Sequence, residues 1–450
     1  MAYVDRYQSY LNRIPVLAEE KRRTPEYTTV LGFSSDLDVL LHWDVERYNQ
    51  LLDQYLKRPP AVCPGETIDS MEDFARISCG HIIQGLGGAY DVSDGAVCEQ
   101  LRQIFTDEAA PGGACAQAAA TIGALGLPVN AHLTDTSREV CQLLNYPGVT
   151  GIANGRKVSM EELATDQPPI YHVILQFDKG DVVRFFGREV EIPCSNRLIV
   201  HCDPVHKVMP LQEEFFRYWE QTTEKPASFV VSGFDSVVED SVIEEKLERV
   251  SLFLRRLRRK SPETTLYLEG AFYIREAVKD IVFDRLSPYM DIISMNEEEL
   301  AAQLFRLEKD FGDMNQLDGI LQSLDHLLTR FPARGAILHT RNFSLYYGEE
   351  LAYVDIAFGL TMGNLTAGTR ARIGSYGTRQ DLRETLQVPL SEAGLEIARQ
   401  AEAYKGSKQL VVVPSRLMEY PKYTIGLGDA FLAGVQICFM DRQLEKQGMG

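Results

Sequence analysis

The second half of the sequence alternates short apolar runs with longer segments of helical periodicity. Strands that are separated by helices form βαβ units, and these units bring the strands together in a parallel sheet. The pattern therefore predicts an α/β fold from residue 197 onward. The candidate strands are residues 197–202, 228–232, 264–268, 291–295, 335–339 and 409–413, with a helix expected at 241–259.

The region before this alternation is organised differently. Residues 146–196 contain short candidate strands at 171–177 and 182–187 without helices between them. Strands that follow one another without helices are typical of an antiparallel sheet. A second, smaller unit is therefore expected beside the parallel sheet.

A glycine turn near the end of the sequence carries the clearest chemical signal. Residues 426–429 read Gly-Leu-Gly-Asp and lead into an apolar helix. Gly426 and Gly428 let bare backbone approach a ligand, and the start of the helix offers free N–H groups to an anion. Asp429 suits this place if it takes a proton from a nucleophile while the helix end holds developing negative charge. The segment predicts a phosphoryl-transfer centre, although helix capping by Asp429 has the same pattern.

Two other segments suit a ligand that carries hydroxyl groups. Asp36 and Asp38 alternate with Leu37, so both carboxylates can lie on one face of an extended segment and bind sugar hydroxyls. Helix capping is the alternative for both. Gly112 and Gly113 precede an alanine-rich helix whose N-terminus is expected to lie open to a ligand.

Further polar residues follow candidate strands, at the edge where open parallel sheets bind ligands. Glu269, Asn296 with Glu299, and His339 with Thr340 occupy such positions. Sparse carboxylates suit Mg²⁺, which keeps several of its waters, while Asn296 and Glu299 also fit a helix cap. The sequence has no Gly-x-x-x-x-Gly-Lys-Ser/Thr loop, so a P-loop kinase is excluded. Arg197 is then a candidate for the positive charge that phosphate needs.

Composition limits the remaining classes of function. The 450 residues suffice for two domains, and the formal charge of −18 argues against nucleic-acid or polybasic membrane binding. No apolar run is long enough to span a bilayer, and the first 20 residues do not resemble a signal peptide. The eight cysteines are scattered and contain no Cys-x-x-Cys pair. A cytoplasmic protein without a zinc site is therefore expected.

Taken in order, these motifs resemble the ADP-dependent glucokinase and phosphofructokinase family of the ribokinase-like superfamily. The likeness runs from about residue 28 to the end of the sequence. The segments that carry it are Gly32-Phe33 with Asp38, Gly112-Gly113, residues 171–177, Asn196-Arg197, Asn296-x-x-Glu299, His339-Thr340, residues 363–374 and residues 426–429.

The resemblance implies a ribokinase-like, doubly wound and mostly parallel sheet with a smaller α+β lid domain. The expected large domain comprises residues 1–43, 105–145 and 197–450, and the expected lid comprises 44–104 and 146–196. The implied reaction transfers the β-phosphoryl group of ADP to a sugar hydroxyl with Mg²⁺ and releases AMP. Asp429 is the implied base, assisted by Gly426, Gly428 and Arg197.

The implied binding residues fall into three groups. The sugar is expected at Asp36, Asp38, Gly112 and Gly113, and Mg²⁺ at Glu269, Glu299 and Asp429. The nucleotide is expected at Arg197, Asn296, His339, Thr340, Gly426, Leu427 and Gly428.

The sequence departs from the family pattern at several positions. Tyr267 stands where the family usually has His, Ser34 and Asp36 stand where it has Asn, and Cys194 replaces a basic residue that would support a sugar phosphate. Glucose and fructose 6-phosphate therefore both stay open as acceptors. A ribokinase-type kinase that uses ATP, or a sugar- or nucleotide-binding relative with weakened catalysis, is the alternative function.

Overall fold

Two β-sheets organise the chain. The computed structural model describes residues 2–24, 26–271, 273–419, 421–423 and 425–441. The strands in these ranges are β1 (Thr29–Gly32), β2 (Asp36–Leu41), β3 (Gly88–Asp91), β4 (Asp107–Gly112), β5 (Val129–Ala131), β6 (Val149–Ala153), β7 (Arg156–Ser159), β8 (Tyr171–Phe177), β9 (Val182–Phe185), β10 (Arg188–Glu191), β11 (Asn196–Cys202), β12 (Ser228–Val231), β13 (Thr265–Glu269), β14 (Ile292–Asn296), β15 (Gly335–His339), β16 (Phe343–Gly348) and β17 (Gln409–Pro414).

Helices connect most of these strands. They are α1 (Ala2–Arg23), α2 (Val45–Tyr55), α3 (Met71–Ile82), α4 (Gly95–Ile104), α5 (Ala114–Ala124), α6 (Arg138–Leu143), α7 (Met160–Leu163), α8 (Glu213–Gln221), α9 (Asp240–Lys260), α10 (Glu276–Leu286), α11 (Glu297–Arg306), α12 (Leu317–Arg330), α13 (Ile356–Ile373), α14 (Arg379–Thr385), α15 (Glu392–Glu402) and α16 (Leu427–Met440).

The larger sheet has the order β17-β16-β15-β14-β13-β12-β1-β5-β6-β7 in the described part of the chain. Its central strands, from β15 through β1 to β6, pair in parallel. Both ends of the sheet are antiparallel, through β16 and β17 at one edge and β7 at the other. The predicted α/β class with a mostly parallel sheet is confirmed.

Alternate residues of the central strands point into two separate hydrophobic cores. In β13, Tyr267 belongs to one core, whereas Leu266 and Leu268 belong to the other. A strand alternates its side chains between the two faces of a sheet, and an all-parallel sheet is covered by helices on both faces. Helices α5, α13 and α16 contribute to the first core, and α8 to α12 contribute to the second.

The smaller sheet has the order β3-β11-β8-β2-β4, and β9 and β10 form a separate hairpin. Strand β2 pairs parallel with β8 and antiparallel with β4. Asp36 and Asp38 lie on the same face of β2, as the alternation predicted. Since Asp36 opposes Gly112 of β4 in the register, the carboxylate pair and the glycine pair are neighbours.

Several strands pair differently from the sequence prediction. Residues 197–202 were expected in the parallel sheet, but they belong to β11, which pairs antiparallel with β8 in the smaller sheet. Residues 409–413 lie in β17, which pairs antiparallel with β16, a strand that was not predicted. Strand β6, expected among antiparallel strands, pairs parallel with β5. Local alternation identifies a strand, but its partner is set by packing against distant residues. The proposed domain boundaries stay a prediction.

In the described ranges, four connections carry the chain between the two sheets. Residues 33–35 lead from β1 into β2, Gly113 leads from β4 into α5, residues 160–170 lead from β7 into β8, and residues 203–212 lead from β11 into α8. Ser35 N donates a hydrogen bond of 2.8 Å to Thr134 Oγ1, which lies just beyond β5. The polar residues on these connections therefore meet at the junction of the sheets. No helix within the described ranges is long and apolar enough to cross a membrane.

Candidate functional site

The glycine turn at residues 426–429 opens α16 and faces a cavity. Gly426 precedes the helix with a φ of +70°, and no side chain of a described residue caps the helix start. The first N–H groups of α16 therefore have no acceptor within the helix. Asp429 is half-buried in the first turn and lines a cavity of about 700 Å³ together with Gly426, Leu427 and Gly428.

Gln117 of α5 links this turn to the smaller sheet. A Cβ atom at Gly426 would overlap Gln117 Oε1, so the turn and the glutamine are in close contact. Gln117 Nε2 donates a hydrogen bond of 3.4 Å to Asp38 Oδ2. The glycine turn and the acidic pair of β2 are thus joined through one side chain.

Two glutamates line the same cavity as Asp429. Glu299 forms a capping box with Asn296, in which Asn296 N donates to Glu299 Oε2 at 3.0 Å and Glu299 N donates to Asn296 Oδ1 at 2.9 Å. The capping interpretation of these two residues is therefore confirmed. Both still line the cavity, as does Glu269 at the end of β13.

The glutamates are suited to a divalent cation. Burial raises the pKa of Glu269 well above its usual value, and the charges of Glu299 and Asp429 add to this effect. Glu269 Oε2 is buried and accepts no hydrogen bond from any residue in the described ranges. Carboxylates that repel one another, with an unpaired oxygen among them, fit the oxygen ligands that Mg²⁺ prefers.

His339 and Thr340 lie on the cavity wall at the end of β15. The His339 ring stacks on Phe431 of α16, with ring centroids 4.5 Å apart and planes inclined by 27°. Burial lowers the pKa of His339 to about 4, so its ring is neutral near pH 7. Thr340 Oγ1 accepts hydrogen bonds from the N–H groups of Asn342 and Phe343 and thereby orders the loop that borders the cavity.

The acidic pair of β2 lies beside a histidine of β8. His172 Nδ1 is 3.3 Å from Asp36 Oδ1 and 4.0 Å from Asp38 Oδ1. A Cβ atom at Gly112 would overlap Asp36 Oδ1, and one at Gly113 would lie 3.1 Å from Asp36 Oδ2. The glycine pair therefore allows backbone to contact the carboxylate of Asp36.

A hydrogen-bonded network orients His172. Its Nε2 atom lies 3.1 Å from Asp203 Oδ2, and the same oxygen lies 2.6 Å from His206 Nδ1. His206 Nε2 is in turn 2.7 Å from Thr134 Oγ1. Burial alone would lower the pKa of His172, but the carboxylates of Asp36, Asp203 and Asp38 raise it to about 10.

The Asp203 carboxyl is held in its ionised form. Burial alone would raise its pKa, but hydrogen bonds from His172 and His206 keep the pKa well below its usual value. His172, Asp203 and His206 thus form a charged hydrogen-bonded group that reaches Asp36.

A buried arginine provides positive charge at the site. Arg370 of α13 donates a hydrogen bond of 2.5 Å from Nη1 to the carbonyl oxygen of Gly374, and its guanidinium lies 4.5 Å from the centre of the Tyr376 ring. Burial raises the pKa of Asp429 to about 7, as do Asp38, Asp235 and Glu299, while Arg370 opposes the shift. Arg370 also lowers the pKa of Asp38, which burial raises.

The structure brings most of the predicted residues together in two groups. The first group lines the cavity and comprises Glu269, Asn296, Glu299, His339, Thr340, Gly426, Leu427, Gly428 and Asp429. The second group comprises Asp36, Asp38, Gly112 and Gly113. Arg197 lies apart, exposed on β11 opposite Gln176, and its role stays a prediction.

Sequence reasoning did not identify several residues of the site. They are Gln117, His172, Asp203, His206 and Arg370. Gln117 follows the glycine pair on the alanine-rich helix, and Arg370 lies within the segment 363–374 that carries part of the family resemblance. Their positions in these two segments could have identified Gln117 and Arg370 as site residues. His172 likewise lies within the segment 171–177 that carries part of the resemblance, whereas nothing in the local sequence relates Asp203 or His206 to Asp36.

Comparisons with known proteins show which family the sequence matches. Residues 28–435 match the family model described as the ADP-specific phosphofructokinase/glucokinase conserved region. An ADP-dependent glucose/glucosamine kinase of Pyrococcus abyssi is 28% identical over 75% of this chain and 77% of its own length. An ADP-specific phosphofructokinase of Pyrococcus furiosus is 21% identical over 94% of this chain and 98% of its own length.

Solved structures share the fold. The last common ancestor of ADP-dependent phosphofructokinases from Methanosarcinales aligns with a TM-score of 0.80 and 18% identity, over 98% of this chain and 99% of that one. An ADP-dependent kinase in complex with fructose-6-phosphate and ADPbetaS aligns with a TM-score of 0.73 and 17% identity, over 99% of both chains. The predicted ribokinase-like fold is confirmed.

Proposed function

The chain belongs to the ADP-specific phosphofructokinase/glucokinase family, and on that premise we propose that it is an ADP-dependent sugar kinase. It transfers the β-phosphoryl group of ADP to a hydroxyl of a sugar or sugar phosphate and releases AMP. The observation that carries this proposal is the position of Asp429 in the first turn of α16, beside free N–H groups and within the cavity that Glu269 and Glu299 line.

In this reaction Asp429 takes the proton of the attacking hydroxyl. A bond forms between that oxygen and the β-phosphorus, and the bond from the β-phosphorus to the AMP oxygen breaks. The N–H groups of Leu427, Gly428 and Asp429 hold the oxygens of the transferring group, where negative charge accumulates. The raised pKa of Asp429, about 7, suits a group that must accept a proton near neutral pH.

Magnesium is part of the proposal. Glu269, Glu299 and Asp429 would hold Mg²⁺, and the unpaired Glu269 Oε2 supports this assignment. When bound, the ion neutralises charge on the phosphate oxygens. His339, Thr340 and Asn296 would contact the nucleotide, while Asp36, Asp38 and the glycine pair would bind the sugar hydroxyls.

The proposal extends to the compartment and the partners of the protein. Free thiols suit a reducing compartment, and they are found at Cys63, Cys79, Cys98, Cys115, Cys141, Cys194 and Cys202. We therefore assign the chain to the cytoplasm, with a sugar and a nucleotide as its ligands and without nucleic-acid or membrane partners.

The test is phosphoryl transfer by the wild type and by Asp429→Asn. With Mg²⁺ and a panel of sugars and sugar phosphates, we expect transfer from ADP and little from ATP. Asp429→Asn should lower kcat by about 10²- to 10⁴-fold, since it removes the general base, while ADP still binds. Calorimetric titration with ADP measures that binding. The matched control is Asp318→Asn, which changes an exposed acid in the first turn of α12.

Two results would contradict the proposal. Absence of transfer with every donor and acceptor, despite nucleotide binding, would remove the enzyme assignment. A kcat of Asp429→Asn within a few-fold of wild type would remove Asp429 from the role of base.

A further inference from the structure

A group of possible metal ligands at the junction of the sheets contains none of the residues predicted to hold Mg²⁺. Asp36 at the start of β2, His172 of β8 and His206 on the connection 203–212 each offer one ligand atom, and these atoms all lie within 4.8 Å of one another. Asp36 and His206 are buried, and His172 is partly buried. The group therefore combines two imidazoles with a carboxylate, whereas the predicted Mg²⁺ ligands are carboxylates alone.

The spacing of two of these atoms fits a tetrahedral ion. Ligand atoms about 2.0–2.1 Å from a tetrahedral Zn²⁺ lie about 3.3–3.4 Å from one another. His172 Nδ1 and Asp36 Oδ1 are 3.3 Å apart. The third ligand atom, from His206, lies within 4.8 Å of the other two, so an adjustment of this one ring completes the set. Three protein ligands leave a fourth position for water, as in open zinc sites.

Asp203 holds both imidazole rings from behind. Its Oδ2 atom lies 3.1 Å from His172 Nε2 and 2.6 Å from His206 Nδ1. A histidine that binds a metal usually donates its other ring N–H to a carboxylate, which fixes the ring and makes it a better ligand. The nitrogens left for a metal are then His172 Nδ1 and His206 Nε2. The latter would exchange its 2.7 Å contact with Thr134 Oγ1 for the ion.

The charges around His172 favour a dication. Carboxylate oxygens of Asp36, Asp38 and Asp203 lie 3.3, 4.0 and 3.1 Å from its ring nitrogens. In the described ranges, no Lys or Arg hydrogen-bonds or ion-pairs with Asp36 or Asp203. A metal ion with two positive charges interacts more strongly with these carboxylates than a single proton on His172 does, and its binding releases that proton.

From this arrangement we infer that Asp36, His172 and His206 bind a divalent transition metal of the Zn²⁺ class, with Asp203 as the residue that positions both imidazoles. Mg²⁺ does not suit the group, because it requires octahedral oxygen coordination. One consequence rests on the proposed function: since Asp36 is expected at the sugar, the bound metal excludes the acceptor. Zn²⁺ is then an inhibitor that competes with the sugar.

The test is calorimetric titration of the full chain with Zn²⁺ near pH 7.5. Excess Mg²⁺ is present, so that groups made of oxygen ligands alone are filled by Mg²⁺. We expect wild type to bind Zn²⁺ with a Kd below about 10 µM. His206→Asn should weaken binding at least about 100-fold, and Asp203→Asn about 10- to 100-fold, as a residue behind the ligands does. The matched control is His42→Asn, which removes an exposed histidine and should bind as wild type does.

Two further measurements keep the result decisive. Co²⁺ replaces Zn²⁺, and its visible absorption should report a tetrahedral nitrogen and oxygen ligand set in wild type but not in His206→Asn. Where circular dichroism shows that His206→Asn does not fold, Asp36→Asn takes its place and should weaken Zn²⁺ binding at least about tenfold, because it removes the charged ligand. Absence of binding by wild type, or equal affinity of wild type and the folded variant, would overturn the inference.

Kinetics test the exclusion of the acceptor separately. With ADP, Mg²⁺ and the preferred sugar, a buffered concentration of free Zn²⁺ should raise the KM for the sugar and leave kcat unchanged. In His206→Asn this inhibition should be at least about tenfold weaker. An unchanged KM at saturating Zn²⁺ would overturn the exclusion. If no acceptor is phosphorylated at all, the kinase assignment fails, whereas the calorimetric titration still decides the metal site.

Discussion

Gly426 has two independent reasons to be glycine. Its φ of +70° lies in the left-handed region, where a side chain is strained, and a Cβ atom would overlap Gln117 Oε1. The second reason has a consequence for the acceptor, because Gln117 also donates to Asp38. A side chain at position 426 must therefore displace Gln117 and with it the contact between the two halves of the site.

Comparison of Gly426→Ala with Gly155→Ala separates these two effects. Gly155 has nearly the same φ, +71°, but a Cβ atom added there would have no neighbour within 4 Å. Both changes should lower the free energy of unfolding by roughly 1 kcal/mol through backbone strain. Gly426→Ala alone should lower kcat/KM for the acceptor, by at least about tenfold. Equal activity of the two variants would contradict the link through Gln117.

The sequence identified those site residues that lie close together in one turn or on one strand. Gly426 and Asp429 lie within a single turn, and Asp36 and Asp38 are two positions apart on one strand. His172, Asp203 and Arg370 reach the same site from three other parts of the chain, and His172 is 31 residues from Asp203, to which it is hydrogen-bonded. Their roles depend on how the sheets meet, which the local sequence does not contain.

At the scale of elements, α13 and α16 pack closely through glycines. A Cβ atom at Gly363 of α13 would lie 2.8 Å from the Phe431 ring and 3.0 Å from its carbonyl oxygen. Phe431 in turn stacks on His339 at the cavity. The contact between the two helices therefore also sets the position of a cavity wall.

Gly363→Ala should consequently affect both stability and nucleotide binding. Overpacking at this contact should lower the free energy of unfolding by about 1–3 kcal/mol, as measured in urea, and raise the KM for ADP. Gly368→Ala is the control in the same helix, because the nearest atom would be Thr385 Cγ2 at an ordinary 3.5 Å. That change should be neutral or stabilise by up to about 1 kcal/mol through helix propensity. Equal stability of the two variants would show that α13 and α16 can separate without cost.

The elements themselves were easier to predict than their partners. Helix α9 and the central strands β12 to β15 agree closely with the periodic pattern, since amphipathic spacing is a local property. Strand β11 was assigned to the wrong sheet because an apolar run before a helix has the same sequence pattern whether the strand belongs to the larger or to the smaller sheet. Its pairing with β8 depends on the connection 203–212, which returns the chain to the larger sheet.

At the scale of the whole molecule, the junction of the two sheets contains a buried neutral histidine. His132 follows β5, is 1% exposed, and accepts a hydrogen bond of 2.9 Å at Nε2 from Gln212 N at the start of α8. The rings of Phe33 and Phe215 meet it edge-on at 5.2 and 5.1 Å. Burial lowers its pKa to about 4, against the weaker opposing effect of backbone hydrogen bonds.

This shift makes the stability of the fold depend on pH in a definite direction. Between about pH 6.5 and 4 the unfolded chain binds a proton at His132 and the folded chain does not, so stability is lost as the pH falls through this window. From pH 7 to pH 5 the loss of unfolding free energy due to His132 should be roughly 2 kcal/mol.

His132→Gln should be less stable than wild type at pH 7. Between pH 7 and pH 5, however, its free energy of unfolding should fall by about 2 kcal/mol less than that of wild type. Urea unfolding at both pH values measures the difference, with exposed His42→Gln as the control that keeps the full dependence. If His132→Gln and wild type lose equal stability between pH 7 and pH 5, protonation of His132 does not weaken the junction.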